Sequence, residues 1–303
     1  MKPEVNCTWH LNRDCNFNCK YCYVSRLQTL GQKGHGVDID IEAFRKNKVN
    51  WKSVMMSGGE PFIYPHYVEL CKKMTELFHI GINTNLSTSN IYDFADTVDP
   101  KKVDEIHASF HLGQRKRTDW WKFAEKYKYL EAKGFPITAS QVIHPTLASE
   151  YIDAFDFLKE RGVHLNPKIY EGYHRLRLYP AMYKNKIRKM MINYSEYILP
   201  PLLFGNLDWE GKPCSAGYNF MQIQYNGNAF RCQGDKTHLG NLYAGDITTF
   251  EETQNCYSKI CDCAYEGLQY GYGEPHVHKF PSLKKYTKSA ALEYYNMVKR
   301  WMK

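Results

Sequence analysis

The 303-residue sequence has no run of roughly eighteen apolar residues, the least a membrane-spanning helix needs. Its opening, MKPEVNCTWHL, has no basic stretch followed by an apolar one, so no secretory signal is read there. There is no internal repeat and no low-complexity tract, which excludes a solenoid or a compositionally biased chain. These absences point to a cytosolic globular protein without a membrane partner. A hydrophobic content of 43% is enough for one large core, or for a main domain with a smaller appendage.

A formal charge of +8 favours an acidic partner such as a phosphorylated substrate, nucleic acid or an acidic electron donor. The densest basic pieces are Arg115-Lys116-Arg117, Lys184 to Lys189 and Lys284-Lys285. They fall at loops or helix faces, where a solvated surface is the expected reading rather than a nucleic-acid site.

Ten cysteines in such a chain point to metal or redox chemistry rather than a disulfide framework. Eight form two groups, Cys15, Cys19, Cys22 and Cys214, Cys232, Cys256, Cys261, Cys263. Cys7 and Cys71, on a strand and a helix by pattern, are expected in the core.

Six short β-type segments alternate with helical patterns over residues 1–175, the signature of parallel strands with crossover helices and hence of a partial (β/α)6 barrel. The strands are expected at Val5 to Leu11, Ser53 to Met56, Ile80 to Asn85, Glu105 to His111, Pro136 to Ile143 and Val163 to Tyr170. Ser149 is the expected N-cap of a helix with Ile152, Phe155 and Leu158 on its core face. Residues 176–205 read as a helical linker. Residues 206–303 read as a small α+β region with a hairpin turning at Asn226-Gly227 and a helix over 283–302. Barrels of this kind carry their chemistry at the C-terminal ends of the strands, where the first cysteine group and Ser57-Gly58-Gly59-Glu60-Pro61 fall.

Cys15, Cys19 and Cys22 sit on one short loop, enough to ligate three corners of a cubane cluster and leave the fourth iron open to a ligand. A zinc site, with His10 as a fourth ligand, is the alternative. The CxxxCxxC spacing with aromatic Tyr21 before the last cysteine resembles the radical SAM superfamily. The resemblance implies that the open iron of a [4Fe–4S] cluster chelates S-adenosylmethionine (SAM). An electron from an electron donor such as flavodoxin or ferredoxin then splits SAM into methionine and a 5′-deoxyadenosyl radical. Ser57 to Pro61 looks like the family's SAM-amino motif, in which glycines let backbone carbonyls approach the ammonium and Glu60 is a buried charge or a link to the barrel wall. Asn83, Asn85, Ser109, His111 and Gln141 match further family positions near SAM or substrate. The family's Ser-x-Asp is here Ser109-Phe110-His111, so no aspartate role is carried over. Tyr170 and Glu171, with His111, are candidates for substrate contact or proton transfer.

The second cysteine group resembles the C-terminal extension called SPASM, or its shorter form called twitch, which binds auxiliary [4Fe–4S] clusters. Five thiols suit one such cluster, with Cys214, Cys232, Cys261 and Cys263 as ligands and Cys256 as second choice for either of the last two. Structural zinc on the same thiols stays open. Relatives with such an extension modify ribosomally made peptides, oxidise sugar or aminocyclitol alcohols, or activate sulfatases. The resemblance implies hydrogen abstraction from a peptide or small polar metabolite, giving oxidation or a cross-link. Redox-neutral rearrangement or epimerisation, and modification of a nucleotide or nucleic-acid base stacked on aromatics, are the alternatives. The first strand begins close to Met1, which leaves no N-terminal peptide-recognition wing and weighs against a peptide.

Overall fold

The computed structural model describes residues 3–22, 34–196, 203, 205–208, 210–257 and 276–279. Cys261, Cys263 and the helix expected over 283–302 lie outside them. The first strand, β1 (Val5–His10), buries Val5, Cys7 and Trp9 on one face, as its alternation predicts. The chain then alternates through α1 (Val37–Lys46), β2 (Trp51–Ser57), α2 (Tyr67–Thr75), β3 (His79–Thr84), α3 (Ile91–Thr97), β4 (Val103–Ser109), α4 (Trp120–Ala132), β5 (Ile137–Val142), α5 (Tyr151–Lys159) and β6 (Leu165–Lys168). Cys71 is buried on α2, and with Cys7 belongs to the core as expected.

Two local readings differ from the sequence. Helix α5 starts at Tyr151 with Glu150 in the cap position and no side-chain cap bond, so Ser149 lies before it. Ile152 is exposed, because Tyr151 and Phe155 turn inward and the Tyr151 hydroxyl donates to the Leu165 carbonyl. A hairpin, β7 (Gly172–His174) and β8 (Arg177–Tyr179), straddles the start of the stretch read as a helical linker, before α6 (Asn185–Tyr194). Its turn residues Arg175 and Leu176 adopt φ of 47° and 61°, left-handed values that carry no Asn-Gly signature in the sequence.

The remaining strands are β9 (Gly205–Asp208), β10 (Pro213–Cys214), β11 (Phe220–Ile223), β12 (Asn228–Phe230), β13 (His238–Asn241), β14 (Gln254–Asn255) and β15 (His276–Lys279). The hairpin at Asn226-Gly227 joins β11 to β12, with Gly227 at φ 84°. It does not stand apart: β11 runs parallel to β1, so one nine-stranded sheet has the order β13-β12-β11-β1-β2-β3-β4-β5-β6.

From β1 to β6 the strands are parallel and their order never reverses. Crossovers of one hand, right-handed as the general rule for parallel strands has it, put α1 to α5 side by side on one face of the sheet, as in a partial barrel. The helix-side face is the core, with Val54, Met56, Ile80, Ile82, Ile106 and Ala108 almost wholly buried. The opposite face carries Thr8, Ser53, Met55, Asn83, Glu105, His107, Ser109 and Thr138, all of them partly exposed.

Candidate functional site

The loop that follows β1 is zipped to the turn that follows β2. Leu11 N donates to Ser57 O at 3.1 Å, Gly59 N to Asn12 O at 3.0 Å, and Glu60 N to Asp14 O at 2.8 Å. The Asn12 side chain adds two bonds, accepting from Gly59 N at 3.0 Å and donating to Glu60 O at 3.0 Å. Both glycines are required by this contact. A Cβ on Gly58 would stand 2.3 Å from Asn12 O, and one on Gly59 would stand 1.8 Å from Asp14 O. The open space at these glycines is therefore filled by the cysteine loop's own backbone.

Glu60 ties the turn to β3. It is buried and accepts from Thr84 Oγ1 at 2.7 Å, Phe62 N at 3.1 Å and Asn85 N at 2.7 Å. Burial raises its carboxyl to about pKa 7, against the pull of those bonds. Of the two roles read for Glu60, the bonds are those of a link between strands. Asn85 passes the link on, donating to Asn16 Oδ1 at 3.0 Å with its amide 4.0 Å from Cys15 Sγ.

The chain beyond β4 closes the other side of the loop. Gln114 brackets Asn18, accepting from its N–H at 2.8 Å and donating to its carbonyl at 3.1 Å. His111, at φ 56°, has Nδ1 3.0 Å from the Tyr21 hydroxyl and 3.4 Å from Cys19 Sγ. Burial, with Arg115 and Lys168 nearby, lowers His111 to about pKa 3, so its imidazole is neutral beside the Tyr21 hydroxyl. Gln141 donates to Tyr21 at 3.4 Å and to Val142 O at 2.7 Å, and accepts from Leu112 N at 2.6 Å. Its carboxamide thus holds Tyr21 and the end of β4. Arg115, read from its neighbours as part of a solvated basic run, is instead packed under the loop among Phe17, Phe110 and Phe123. Asn12, Gln114 and Arg115 are the site residues that the motif reading missed. A polar residue just beyond a strand end was the available signal for Asn12.

Cys19 is buried, and Cys15 and Cys22 are half-buried. Burial raises Cys15, and pushes Cys19 up to about 12, with the neighbouring thiols adding to the effect in both. The three sulfurs thus share one locale. Among the described residues no three His, Cys, Asp or Glu side chains form a ready-made single-ion site. His10 is engaged elsewhere, its Nε2 2.9 Å from Gln222 Nε2 on β11. The donor set suits an iron–sulfur cluster: three thiols on one loop, with no fourth cysteine beside them among the described residues. Binding would release the protons that burial now holds on the sulfurs.

The inner face of the sheet leads away from this loop. Barrel interiors are normally filled with branched apolar side chains, yet here His107 bridges Glu105 at 3.0 Å and Thr138 at 3.1 Å. The His107 hydrogen bond holds the Glu105 carboxyl below its ordinary range. Asn83 and Ser109 are partly exposed on the same face. Tyr170 is buried against His144 and Tyr179, and Glu171 is exposed.

Three thiols of the second group also converge. Cys214 on β10 faces Gln254 on β14, and Cys256 N donates to Lys212 O at 2.8 Å. Burial raises Cys214; Cys256 and Cys232 act in the same direction, and Arg231 opposes them. Arg231, 2% exposed, donates to the carbonyls of Ala216, Gln254 and Asn255 and to Asp235 Oδ2 at 2.9 Å. It fastens the hairpin beside Cys232 to the strand that precedes Cys256.

The chain spans about half the length of the curated relatives it matches. One, from Methanocaldococcus jannaschii, is named as a glycyl-radical enzyme activating enzyme and is 27% identical over 161 residues, 52% of this chain and 56% of that one. Another, from Methanothermobacter thermautotrophicus, is named as a GTP 3′,8-cyclase and is 19% identical over 173 residues, 53% and 56% of the two chains. Among solved structures, Streptococcus suis SuiB bound to S-adenosylmethionine superposes with a TM-score of 0.57 at 17% identity, covering 80% of this chain and 64% of that one. The enzyme anSMEcpe with bound AdoMet gives 0.55 at 15%, covering 80% and 78%. These likenesses show the partial-barrel fold. The profile of the radical SAM superfamily matches residues 9–166. That span runs from β1 into β6 and carries the cysteine loop, so the chain belongs to the radical SAM superfamily and is an enzyme.

Proposed function

We propose that this enzyme cleaves SAM reductively at a [4Fe–4S] cluster held by Cys15, Cys19 and Cys22, and abstracts a hydrogen atom from a polar substrate lying against the inner face of the barrel. The observation that carries the proposal is the clamping of the three-cysteine loop to the Gly58-Gly59 turn at the C-terminal edge of parallel strands. When bound there, a cluster with one open iron supplies the electron that splits SAM. The chain's residues do the rest. Asn12, Asp14 and the two glycines fix the loop, Glu60 and Asn85 lock it to β3, and Gln114 and Gln141 hold it against β4 and β5.

Asn83 and Ser109 are the inner-face groups offered to SAM, and Glu105 and His107 those offered to substrate. An inner face with a carboxylate, an imidazole and hydroxyls favours a polar molecule or a polar peptide side chain over an apolar one. SuiB has been solved with its precursor peptide SuiA, with a TM-score of 0.54, which keeps peptides within the substrate class. Cys214, Cys232 and Cys256, with Cys261 or Cys263, hold one auxiliary cluster that accepts the substrate's electron in an oxidation. The division into a barrel over 1–175, a linker over 176–205 and a cluster-binding segment over 206–303 is part of this proposal.

Iron and sulfide per chain after anaerobic reconstitution test it. Two clusters give about eight irons, falling to about four in Cys15/Cys19/Cys22→Ala. Wild type with zinc and no iron would reject it.

A further inference from the structure

Among the described residues Arg115 is a cation packed beneath the cysteine loop, and its surroundings are unusual for a charge. Its Nε donates to Phe110 O at 2.7 Å and its Nη2 donates to Asn85 O, the ends of β4 and β3 respectively. Its guanidinium carbon lies 5.2 Å from the ring of Phe17, 5.0 Å from Phe123 and 5.7 Å from Phe110. These hydrogen bonds go to carbonyls and none goes to a carboxylate. Phe17 lies between Cys15 and Cys19, and its N–H is 3.4 Å from Cys15 Sγ. Asn85, on the other side of Arg115, has its amide 4.0 Å from the same sulfur. The guanidinium is thus fixed within one residue of the thiols from two directions.

Arg115 is half-buried, and a cation drawn out of water without a hydrogen-bonded counter-ion is costly unless negative charge lies close by. Glu60 supplies part of that charge at longer range, ahead of Asp119. Three thiolates around a cluster would supply the remainder. Cation–π contact with Phe17 couples the charge to the loop itself, so the guanidinium moves with the sulfurs rather than apart from them.

Resting on the proposed cluster at Cys15, Cys19 and Cys22, we infer that Arg115 is a positioning residue whose half-buried positive charge favours the reduced form of that cluster. Reduction moves one electron from a low-potential donor onto the cluster, with no bond made or broken. The added negative charge falls beside the guanidinium in a medium of low dielectric, where it is stabilised more than in water. The same residue ties the ends of β3 and β4 to the loop, and the two roles separate by substitution. Arg115→Lys keeps the charge and loses the two-carbonyl brace. Arg115→Gln loses both, and Arg115→Met is the neutral variant to use where the glutamine chain does not fold.

The test is a redox titration of reconstituted full-length protein, followed by the electron paramagnetic resonance signal that changes when SAM is added, which selects the cluster with the open iron. The inference predicts a midpoint potential shifted to more negative values in Arg115→Gln or Arg115→Met. In Arg115→Lys it predicts a potential close to wild type together with a lower melting temperature. A neutral variant that holds the wild-type potential overturns it, and so does a lysine variant shifted as far as the neutral one. Wild-type protein with no SAM-responsive signal removes the cluster reading beneath it, a different result from an unshifted potential.

Discussion

The carbonyl oxygen of Asp14 occupies the space that a side chain on Gly59 would need, 1.8 Å from where a Cβ would stand. The contact is backbone against backbone, so no rotamer change relieves it. Gly59→Ala should therefore displace the cysteine loop, at a cost of about 1–3 kcal/mol for overpacking. The check is iron bound at the first site, read in a Cys214/Cys232/Cys256→Ala background. Near-complete loss is expected, and retained iron would show that the loop does not depend on this approach.

Glu60 gives stability a dependence on pH. Burial raises its pKa from the ordinary 4.5 to about 7, so the folded chain binds this proton more tightly than the unfolded chain. The sign follows: the contribution is full below about pH 4.5 and is lost as pH rises to about 7. Glu60→Gln should flatten that part of the stability profile. It should also lower the urea midpoint, because an amide NH₂ would face donors from Thr84, Phe62 or Asn85. An unchanged profile would mean that Glu60 does not titrate in this range.

Much of this arrangement was legible in the sequence and some was not, for physical reasons. The strand and helix alternation is local, and it placed β1 to β6 correctly to within a few residues. The cysteine spacing and the Gly-Gly turn could be read as one locale because both follow strands of a parallel sheet. Arg115 could not, because its neighbours Lys116 and Arg117 are exposed and its aromatic partners come from three separate segments. Nor could the seating of β11 beside β1, since pairing across more than two hundred residues leaves no trace in either strand's own pattern. The glycines were legible as a requirement, but what fills the space beside them was not.

Asn47 joins the barrel to the segment after β13. Its amide donates to Ala43 O at 2.6 Å and Leu242 O at 2.8 Å, and its carbonyl accepts from Ile247 N at 3.0 Å, all in a buried setting. Asn47→Ala orphans groups on both sides and should cost about 3 kcal/mol in urea unfolding. A loss below about 0.5 kcal/mol, the range of an ordinary surface change, would show that the junction is held elsewhere.

Cys256 was the second choice among the later cysteines, yet it lies with Cys214 and Cys232 in an arrangement that Arg231 fastens. In a Cys15/Cys19/Cys22→Ala background, Cys256→Ala should lower the remaining iron from about four per chain toward none. Full retention would assign the ligands to Cys261 and Cys263 instead.

The most direct measurement is 5′-deoxyadenosine formed from SAM by the anaerobically reconstituted enzyme with a low-potential reductant, for wild type and for Cys15→Ala. The account predicts formation by wild type and none above background in the variant. Equal formation in both, or none in wild type that carries a full complement of iron, would contradict it.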